Sequence, residues 1–251
     1  MRNPWFISLE PPEAFEASGV FETCRVRAGK VLFLRDHLRR LGQSLRTVGI
    51  STWEERKARV ALIRSAKEIK EGYVRIAVRR TAPFIMHSHR GTPYPEEVKR
   101  RGISIPTVAT RWPAGETGTA QAKASERLGS ILARCEGGAA VEVLRIGPHG
   151  YLTEGTVSNL FMVKGDALHT PPHWLGVLEG VTRSRVIQAA RRLGIPVKEI
   201  PFTRHELFNA EEAFLTNVLM GVLPIREVDG RRIGLKVPGS VTRRLSRILS
   251  A

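Results

Sequence analysis

The sequence contains little cysteine and no pattern that would put cysteine to use. Its two cysteines, Cys24 and Cys135, lie far apart and lack the CxxC or Cys/His spacing of a ligand set. They therefore indicate neither a disulfide framework nor a zinc site. We expect both to be buried thiols.

Long apolar runs are also missing. The longest stretch without a charged residue, Ala213 to Ile225, has about 13 residues, whereas a transmembrane helix needs roughly 20. The first 16 residues include two adjacent prolines and four charged residues, which is not the pattern of a secretory signal. These features predict no membrane span and a cytoplasmic location.

Acidic residues are scarce, with 24 Asp and Glu against 40 Lys and Arg and a net charge of +16. Clustered basic residues can bind nucleic acid, and a basic nucleic-acid-binding protein is one alternative. Here the basic residues are scattered, without an RNP-like, zinc-finger or Gly/Arg-rich segment, and Arg243, Arg244 and Arg247 fit the solvated face of a last helix. We therefore predict no nucleic-acid partner, and expect the charge to attract a small anionic substrate.

Strand and helix patterns alternate along the chain and restart midway. Residues 19–34 alternate around Ala28 and Gly29, which predicts a hairpin, and helices are predicted to open at Asp36 and Ser51. The stretch 83–95, which contains proline and glycine, separates two predicted strands. The chain is long enough for two small domains of mixed α and β structure. We predict an N-terminal α/β lobe over 1–112, an interdomain loop over 113–120 and a C-terminal lobe over 121–251.

Four strings, in a fixed order, carry a resemblance to a known family. They are GVFETCRVRAGKV followed by HLRRL, then AKASERLGSIL, GYLTEGTVSNLF and LEGVTRSRV. Over roughly residues 19–235 the sequence resembles the fold type IV pyridoxal-phosphate (PLP) enzymes, the class IV aminotransferase family. The resemblance implies an α+β, two-lobed fold, with a small N-terminal lobe and a larger pseudo-barrel lobe that binds the cofactor.

Matching positions give the predicted cofactor-binding set: Arg40, Lys123, Glu154, Val181, Thr182, Asn217 and Val218. By resemblance, Lys123 would carry PLP as a Schiff base and act as the catalytic base, and Glu154 would face the pyridine nitrogen. These roles fit elementary chemistry, because a protonated ring nitrogen makes PLP a better electron sink. The cofactor phosphate suits a helix N-terminus together with a Thr hydroxyl and an Arg, which Val181, Thr182 and Arg40 would supply.

Substrate contacts are predicted less directly, at Thr23, His87, His89, Arg90 and Arg127. The string MHSHRGT faintly resembles the carboxylate-binding cluster of D-amino-acid aminotransferases, and its alternative interpretation is a solvated loop. No third ligand accompanies the two histidines at a usual spacing, so no metal site is predicted. The string PPEAFEASG replaces the family's usual N-terminal strand, which leaves substrate contacts from that edge open.

Two details favour the lyase branch of the family. Arg127 and Leu128 follow Lys123 at the Lys-x-x-x-Arg-Leu spacing of aminodeoxychorismate lyases, although Glu126 replaces their common Asn. FLTNVLMGVLPI resembles a second lyase string, and Val218 stands where transaminases have a phosphate-binding Thr. We predict a lyase that releases pyruvate to give 4-aminobenzoate, with a transaminase of branched-chain or D-amino acids as the alternative. The family also implies a homodimer in which the neighbouring chain completes each site.

Overall fold

The structure is a computed structural model that describes residues 19–51, 53–79, 84–109, 122–123 and 128–250. The chain divides into two compact units. The first contains Met1–Pro93 and Gly118–Arg127, and the second contains Tyr94–Thr117 and Leu128–Ala251. The predicted interdomain loop, 113–120, lies outside the described residues.

The first unit contains a small antiparallel sheet and two helices. Its described strands are β1 (Gly19–Arg27), β2 (Lys30–Val31), β3 (Gly72–Arg79) and β4 (Ile85–Arg90), in the order β2-β1-β3-β4. Its helices are α1 (Leu34–Thr47) and α2 (Glu55–Ile69). The predicted hairpin is confirmed: β1 and β2 pair around Ala28 and Gly29, which both have the positive φ of a tight hairpin turn.

Alternating apolar residues give this unit its core. On β3, Val74, Ile76 and Val78 lie on one face and are fully buried. They pack in one cluster with leucines of α1, including Leu38 and Leu41, which recur at helical spacing. Burying each of these side chains contributes about 1.5–3 kcal/mol, so the cluster holds helix and sheet together.

Helix starts and the edge strand differ from prediction. Helix α1 begins at Leu34 and includes Asp36 in its first turn, where a negative charge is favourable. Helix α2 begins at Glu55 rather than Ser51, after Trp53 has packed against the core. Strand β4 was not predicted because most of its side chains are exposed, so it lacks the apolar alternation that marks a half-buried strand.

The second unit contains a large mixed sheet. Its described strands are β5 (Ile103–Ile105), β6 (Thr107–Val108), β7 (Leu144–Ile146), β8 (Leu152–Gly155), β9 (Asn159–Lys164), β10 (Ala167–Thr170), β11 (Val197–Glu199), β12 (Glu212–Asn217), β13 (Gly221–Val228) and β14 (Arg231–Arg232). The main path is β14-β13-β12-β9-β8-β7-β6, and β10, β11 and β5 are attached to it. Residues 94–109 therefore belong to this unit, unlike in the predicted division, because β5 pairs with β13 and β6 pairs with β7.

Helices pack against this sheet. They are α3 (Glu96–Arg101), α4 (Leu128–Glu136), α5 (Val181–Arg192), α6 (Arg204–Phe208) and α7 (Ser240–Ser250). The rings of Phe161 and Phe214 stack 5.1 Å apart, and they share one core cluster with Val186 of α5 and Leu245 of α7. The arginines of α7 are exposed, as predicted.

Two local expectations for the second unit are wrong. Cys135 is exposed, because Ala133 is the residue of α4 that packs inward and a position two residues further on points elsewhere. The strand predicted from residue 139 begins only at Leu144, since the N–H of Val143 donates to the Glu142 carboxylate at 3.1 Å. Among the described residues, none of the helices is both long and apolar enough to span a membrane.

Candidate active site

Lys123 is anchored through its backbone on both sides. The N–H of Phe21 donates to the Lys123 carbonyl at 3.0 Å, and the N–H of Lys123 donates to Ser44 Oγ at 3.1 Å. Its Nζ lies 5.2 Å from the centroid of the Phe21 ring, within the range of a cation–π interaction. Strand β1 and helix α1 therefore fix the base of this side chain.

A buried carboxylate on β1 holds two side chains of α1. Glu22 is 1% exposed; it accepts hydrogen bonds from Arg40 Nε at 2.6 Å and from Arg40 Nη2 at 2.8 Å. His37 Nδ1 lies 2.8 Å from the same carboxylate. His37 and Arg40 share a helix face because they are three residues apart. The predicted phosphate ligand Arg40 is thus oriented by a two-point contact.

The charge states of Glu22, His37 and the neighbouring Cys24 follow from their contacts and burial. Burial alone would raise the pKa of Glu22, but the charges of Arg40 and Lys123 and the His37 hydrogen bond hold that pKa well below its usual range. Burial lowers the pKa of His37, so a neutral His37 donates through Nδ1. Burial, reinforced by the Glu22 charge, raises the pKa of Cys24. The cluster therefore contains an ionised Glu22, and Cys24 is an inert thiol.

The opposite face of the small sheet carries three of the predicted substrate residues, Thr23, His87 and His89. Thr23 Oγ1 accepts from Arg75 Nε at 3.2 Å, and Arg75 lies opposite His87 in the strand register. The ring of His89 stacks on Tyr73 at 4.6 Å. Burial lowers the pKa of Arg75, and burial together with the Arg75 charge lowers the pKa of His89.

Not all predicted substrate residues lie on this face. Thr23, His87 and His89 share it, because residues paired across strands point the same way and alternate residues of a strand point the same way. Arg90 is one residue out of phase and points to the opposite face. His87 and His89 lie on a strand rather than in the alternative solvated loop. Arg127 lies outside the described residues.

In the second unit, Glu154 is a buried carboxylate with three donors. Its Oε1 accepts from Arg145 Nη2 at 2.7 Å, and its Oε2 accepts from Asn159 Nδ2 at 2.9 Å and from the N–H of Leu178 at 3.1 Å. Burial raises the pKa of Glu154, against the opposing effects of the Arg145 charge and the Leu178 hydrogen bond. The strand end thus presents a fixed carboxylate.

A second buried carboxylate, Glu142, organises the turn that follows Glu154. It accepts from the N–H of Thr156 at 2.9 Å, the N–H of Val157 at 3.1 Å and Ser158 Oγ at 2.9 Å. The hydroxyl of Thr156 also donates to it. Because these donors belong to the turn between β8 and β9, Glu142 fixes how the two strands leave the Glu154 region.

The first turn of α5 offers free donors. No hydrogen bond is described for the backbone N–H groups of Val181 and Thr182 or for the Thr182 hydroxyl within the described part of the chain. At Gly180 a Cβ would collide with the side-chain oxygen of Asn159, so only glycine allows this close approach. Arg183 is engaged elsewhere, donating to Pro171 O and to Glu199, both at 2.9 Å.

Asn217 and Val218 lie in the turn between β12 and β13. Asn217 Oδ1 accepts from the N–H groups of Leu219 and Met220, both at 2.8 Å, and Asn217 Nδ2 donates to Val157 O at 3.2 Å. The Asn217 side chain therefore closes a turn, which is a common role for asparagine. Val218 is half-buried in this turn.

A family model described as Amino-transferase class IV matches residues 19–228. The chain belongs to the class IV aminotransferase family. This match confirms the family predicted from sequence. Among solved structures, 4-amino-4-deoxychorismate lyase from Pseudomonas aeruginosa is 29% identical with a TM-score of 0.81, covering 92% of this chain and 89% of its own. The fold is accordingly fold type IV, as the resemblance implied.

Curated relatives in the class IV family are mostly aminotransferases. A Methanocaldococcus jannaschii protein, provisionally named as a branched-chain-amino-acid aminotransferase, is 32% identical over 90% of this chain and 84% of its own length. D-alanine aminotransferase of Bacillus licheniformis is 27% identical over 92% of this chain and 86% of its own. The names of these relatives agree better with the transaminase alternative than with the predicted lyase.

Members of the class IV family bind PLP or its pyridoxamine form, and the residues described here fit such a group. The free donors of Val181 and Thr182 suit a phosphate, since a helix N-terminus attracts anions. Glu154 retains acceptor capacity for a ring N–H, because a carboxylate has about four lone-pair positions and its described contacts number three. Lys123 supplies a primary amine on a fixed backbone.

Sequence reasoning missed several polar residues next to the predicted site residues, among them Glu22 and His37 in the first unit and Arg145 in the second. An acidic residue inside the apolar string GVFETC, followed by His and Arg three residues apart on the next helix, is a signal that points to the first two. Arg145 offers no such signal. Within the sequence VLRIG, Arg145 resembles an ordinary outward-facing residue of a strand. Its proximity to Glu154 is visible in the structure alone.

Proposed function

We propose that this chain is a PLP-dependent aminotransferase acting on branched-chain or D-amino acids. The observation that carries the cofactor assignment is Glu154, a buried carboxylate held by three donors and able to accept one more. Such a group is costly to bury. Arg145 supplies one cationic partner, and in our proposal a protonated pyridine ring is the second.

Each residue then has a defined task. Lys123 would hold the cofactor through its Nζ amine, and the same amine would serve as the base that accepts a proton from the substrate carbon bearing the amino group. When bound, PLP supplies an electron sink for the charge left on that carbon. Glu154 keeps a proton on the ring nitrogen. The first turn of α5, with Thr182, would bind the phosphate, and Arg40, which Glu22 orients, is the further phosphate ligand that the family resemblance implies.

The choice of branch rests on two considerations. Relatives that match nearly the full chain carry aminotransferase names. The Asn217 string that resembled a lyase has a structural explanation, because the Asn217 side chain closes the turn between β12 and β13. It therefore no longer counts in favour of lyase chemistry, and Arg127, the other lyase detail, lies outside the described residues.

Aminodeoxychorismate lyase stays as the second candidate. The observation in its favour is that a solved lyase matches 92% of this chain with a TM-score of 0.81. Under either candidate the substrates carry carboxylates, and several of them are net anions, which is consistent with a net charge of +16. Under either we also propose a homodimer in which a second chain completes each site.

A side-by-side assay tests the proposal. Purified protein loaded with PLP is offered leucine, D-alanine or glutamate with a 2-oxoacid, and separately aminodeoxychorismate. We expect amino transfer from leucine or D-alanine. Pyruvate release from aminodeoxychorismate, without amino transfer, would move the assignment to the lyase.

Two lysine variants show whether the cofactor assignment itself holds. Lys123→Ala should lose both amino transfer and the borohydride-reducible attachment of PLP. Lys164→Ala is the matched control, because Lys164 is exposed at a hairpin tip, and it should retain both. A PLP adduct that survives in the Lys123 variant would contradict the assignment.

A further inference from the structure

The ion pair between Arg145 and Glu154 is unusual in its surroundings. The side chains are 13% and 11% exposed, and Arg145 Nη2 lies 2.7 Å from Glu154 Oε1. Arg145 Nε is buried without a partner, and Glu154 is the only side-chain partner of Arg145 among the described residues. The guanidinium is thus committed to a single carboxylate.

Stability alone does not explain this pair. Taking two charges out of water costs more than their attraction returns unless every donor is satisfied, and apolar replacements are often as stable. Here one donor of Arg145 is left unsatisfied. The ion pair is therefore better explained by an effect of the Arg145 charge on Glu154 than by a contribution to folding stability.

The contacts of Glu154 show where that charge acts. Both acceptor positions of Oε2 are taken, by Asn159 and by Leu178. Oε1 accepts only from Arg145 within the described residues. A ring N–H that approaches Glu154 must therefore use the oxygen that Arg145 already contacts.

Carboxylate and ring nitrogen then compete for one proton. Burial favours the neutral carboxylic acid, which would leave the ring nitrogen unprotonated and weaken the electron sink. A positive charge next to Oε1 disfavours a proton on that oxygen far more than a proton on the more distant ring nitrogen, because Coulomb energy falls with distance.

We propose that Arg145 is a positioning residue whose charge keeps Glu154 as a carboxylate, so that the shared proton resides on the ring nitrogen of PLP. This inference rests on the proposed function only through the pairing of Glu154 with the cofactor. Other charges near Glu154 do not replace Arg145. Glu142 acts in the opposite direction, and Arg183 has a smaller effect and is bound to Pro171 and Glu199.

Ring protonation is measured directly with PLP labelled with ¹⁵N in the pyridine ring. The loaded wild-type enzyme should show the ¹⁵N resonance of a protonated ring. Arg145→Met should lose most of that signal and show the unprotonated resonance. Arg145→Lys keeps the charge and should resemble the wild type. Arg145→Gln keeps a hydrogen-bond donor without charge and should resemble the Met variant.

A second readout uses the protein without cofactor. Infrared spectra of apo Arg145→Met should gain the C=O stretch of a protonated buried carboxyl at neutral pH. Arg145→Met combined with Glu154→Gln should not, which assigns the band to Glu154. Thermal melting of each variant identifies any that fail to fold, and the Lys variant still reports on charge if the Met variant is lost.

The outcomes separate the two proposals. A wild-type enzyme that does not bind PLP at Lys123 would remove the proposed function. A wild type with a protonated ring, together with an unchanged ring signal in Arg145→Met or in Arg145→Gln, would overturn the role of Arg145 and leave the proposed function intact.

Discussion

Replacing Glu22 by Gln should destabilise the first unit in a pH-dependent way. The substitution preserves shape but removes the negative charge that Arg40 and His37 contact at 2.6–2.8 Å. An amide offers one acceptor oxygen and points an N–H₂ group at the second donor. Arg40, which is 8% exposed, would then be a buried cation that has lost the charge of Glu22.

Removing one partner of a buried pair costs about 3–5 kcal/mol. Because the amide still accepts one hydrogen bond, we expect the lower end, about 3 kcal/mol in the free energy of unfolding at pH 7. The matched control is Glu55→Gln. Glu55 contacts Arg59 at 2.8 Å, but the Arg and Glu side chains are 41% and 49% exposed, so its loss should cost below about 1 kcal/mol.

The pH dependence carries the sharper test. The pKa of Glu22 in the folded protein lies well below its unfolded value of about 4.3. Its stabilising contribution is therefore complete above about pH 4.3 and declines, by roughly 1.4 kcal/mol per pH unit, as pH falls toward the folded pKa. Burial lowers the pKa of His37, and Glu22 opposes that shift, so both proteins are compared in a His37→Gln background that removes the contribution of His37.

Urea denaturation of the apo-proteins, followed by circular dichroism, measures this difference. Between pH 7 and about pH 3.5 the gap between wild type and Glu22→Gln should narrow by roughly 1 kcal/mol. The Glu55→Gln gap should stay near zero at both values. A gap for Glu22→Gln that is equally large at both pH values would show that shape, rather than charge, accounts for the loss, and would refute the reasoning.

Three further predictions concern the cofactor and the assembly. Glu154→Gln should retain PLP on Lys123 but lose about 3 kcal/mol of transition-state stabilisation, a roughly 10²-fold drop in kcat; a near-normal rate would mean that another group protonates the ring. Thr182→Val should weaken PLP binding about 10-fold or more, measured by equilibrium dialysis, because it removes a hydrogen bond to a charged phosphate worth about 1.5–3 kcal/mol; unchanged affinity would place the phosphate elsewhere. Light scattering should give twice the chain mass, and a fully active monomer would contradict the proposed dimer.

Short sequence motifs predicted more of the secondary structure and of the family than the amino-acid composition did. The leucines of α1 and the alternation in β3 are visible in the sequence because helices and half-buried strands have different periods. The sequence motifs around Lys123, Glu154 and Thr182 predicted the family, and the family match confirms that prediction. The roles of those residues stay predictions, which the variants above test.

Contacts between segments that are distant in the chain could not be predicted from the sequence. Strand β4 has exposed side chains and therefore no apolar period. Glu22 is marked by its apolar string, but its contact with Arg40 is not, and Arg145 is an ordinary charged residue until strand pairing brings it to Glu154. The lyase argument at Asn217 failed for the same reason. The sequence shows an asparagine at this position, but it does not show whether that side chain closes a turn or contacts a ligand.

The anchoring of Lys123 has a consequence for biosynthesis. Its backbone partner Ser44 precedes it by 79 residues, and β4, the last strand of that sheet, ends at Arg90, 33 residues (123 − 90) before the lysine. At about 5–20 residues per second, a ribosome delivers Lys123 roughly 4–16 s after Ser44. The described strands of the small sheet, with α1 and α2, are therefore synthesised before the lysine that contacts them. A nascent chain arrested between Arg90 and Lys123 would contain the residues of the Glu22–Arg40 pair but not Lys123, the amine that our proposal assigns to PLP.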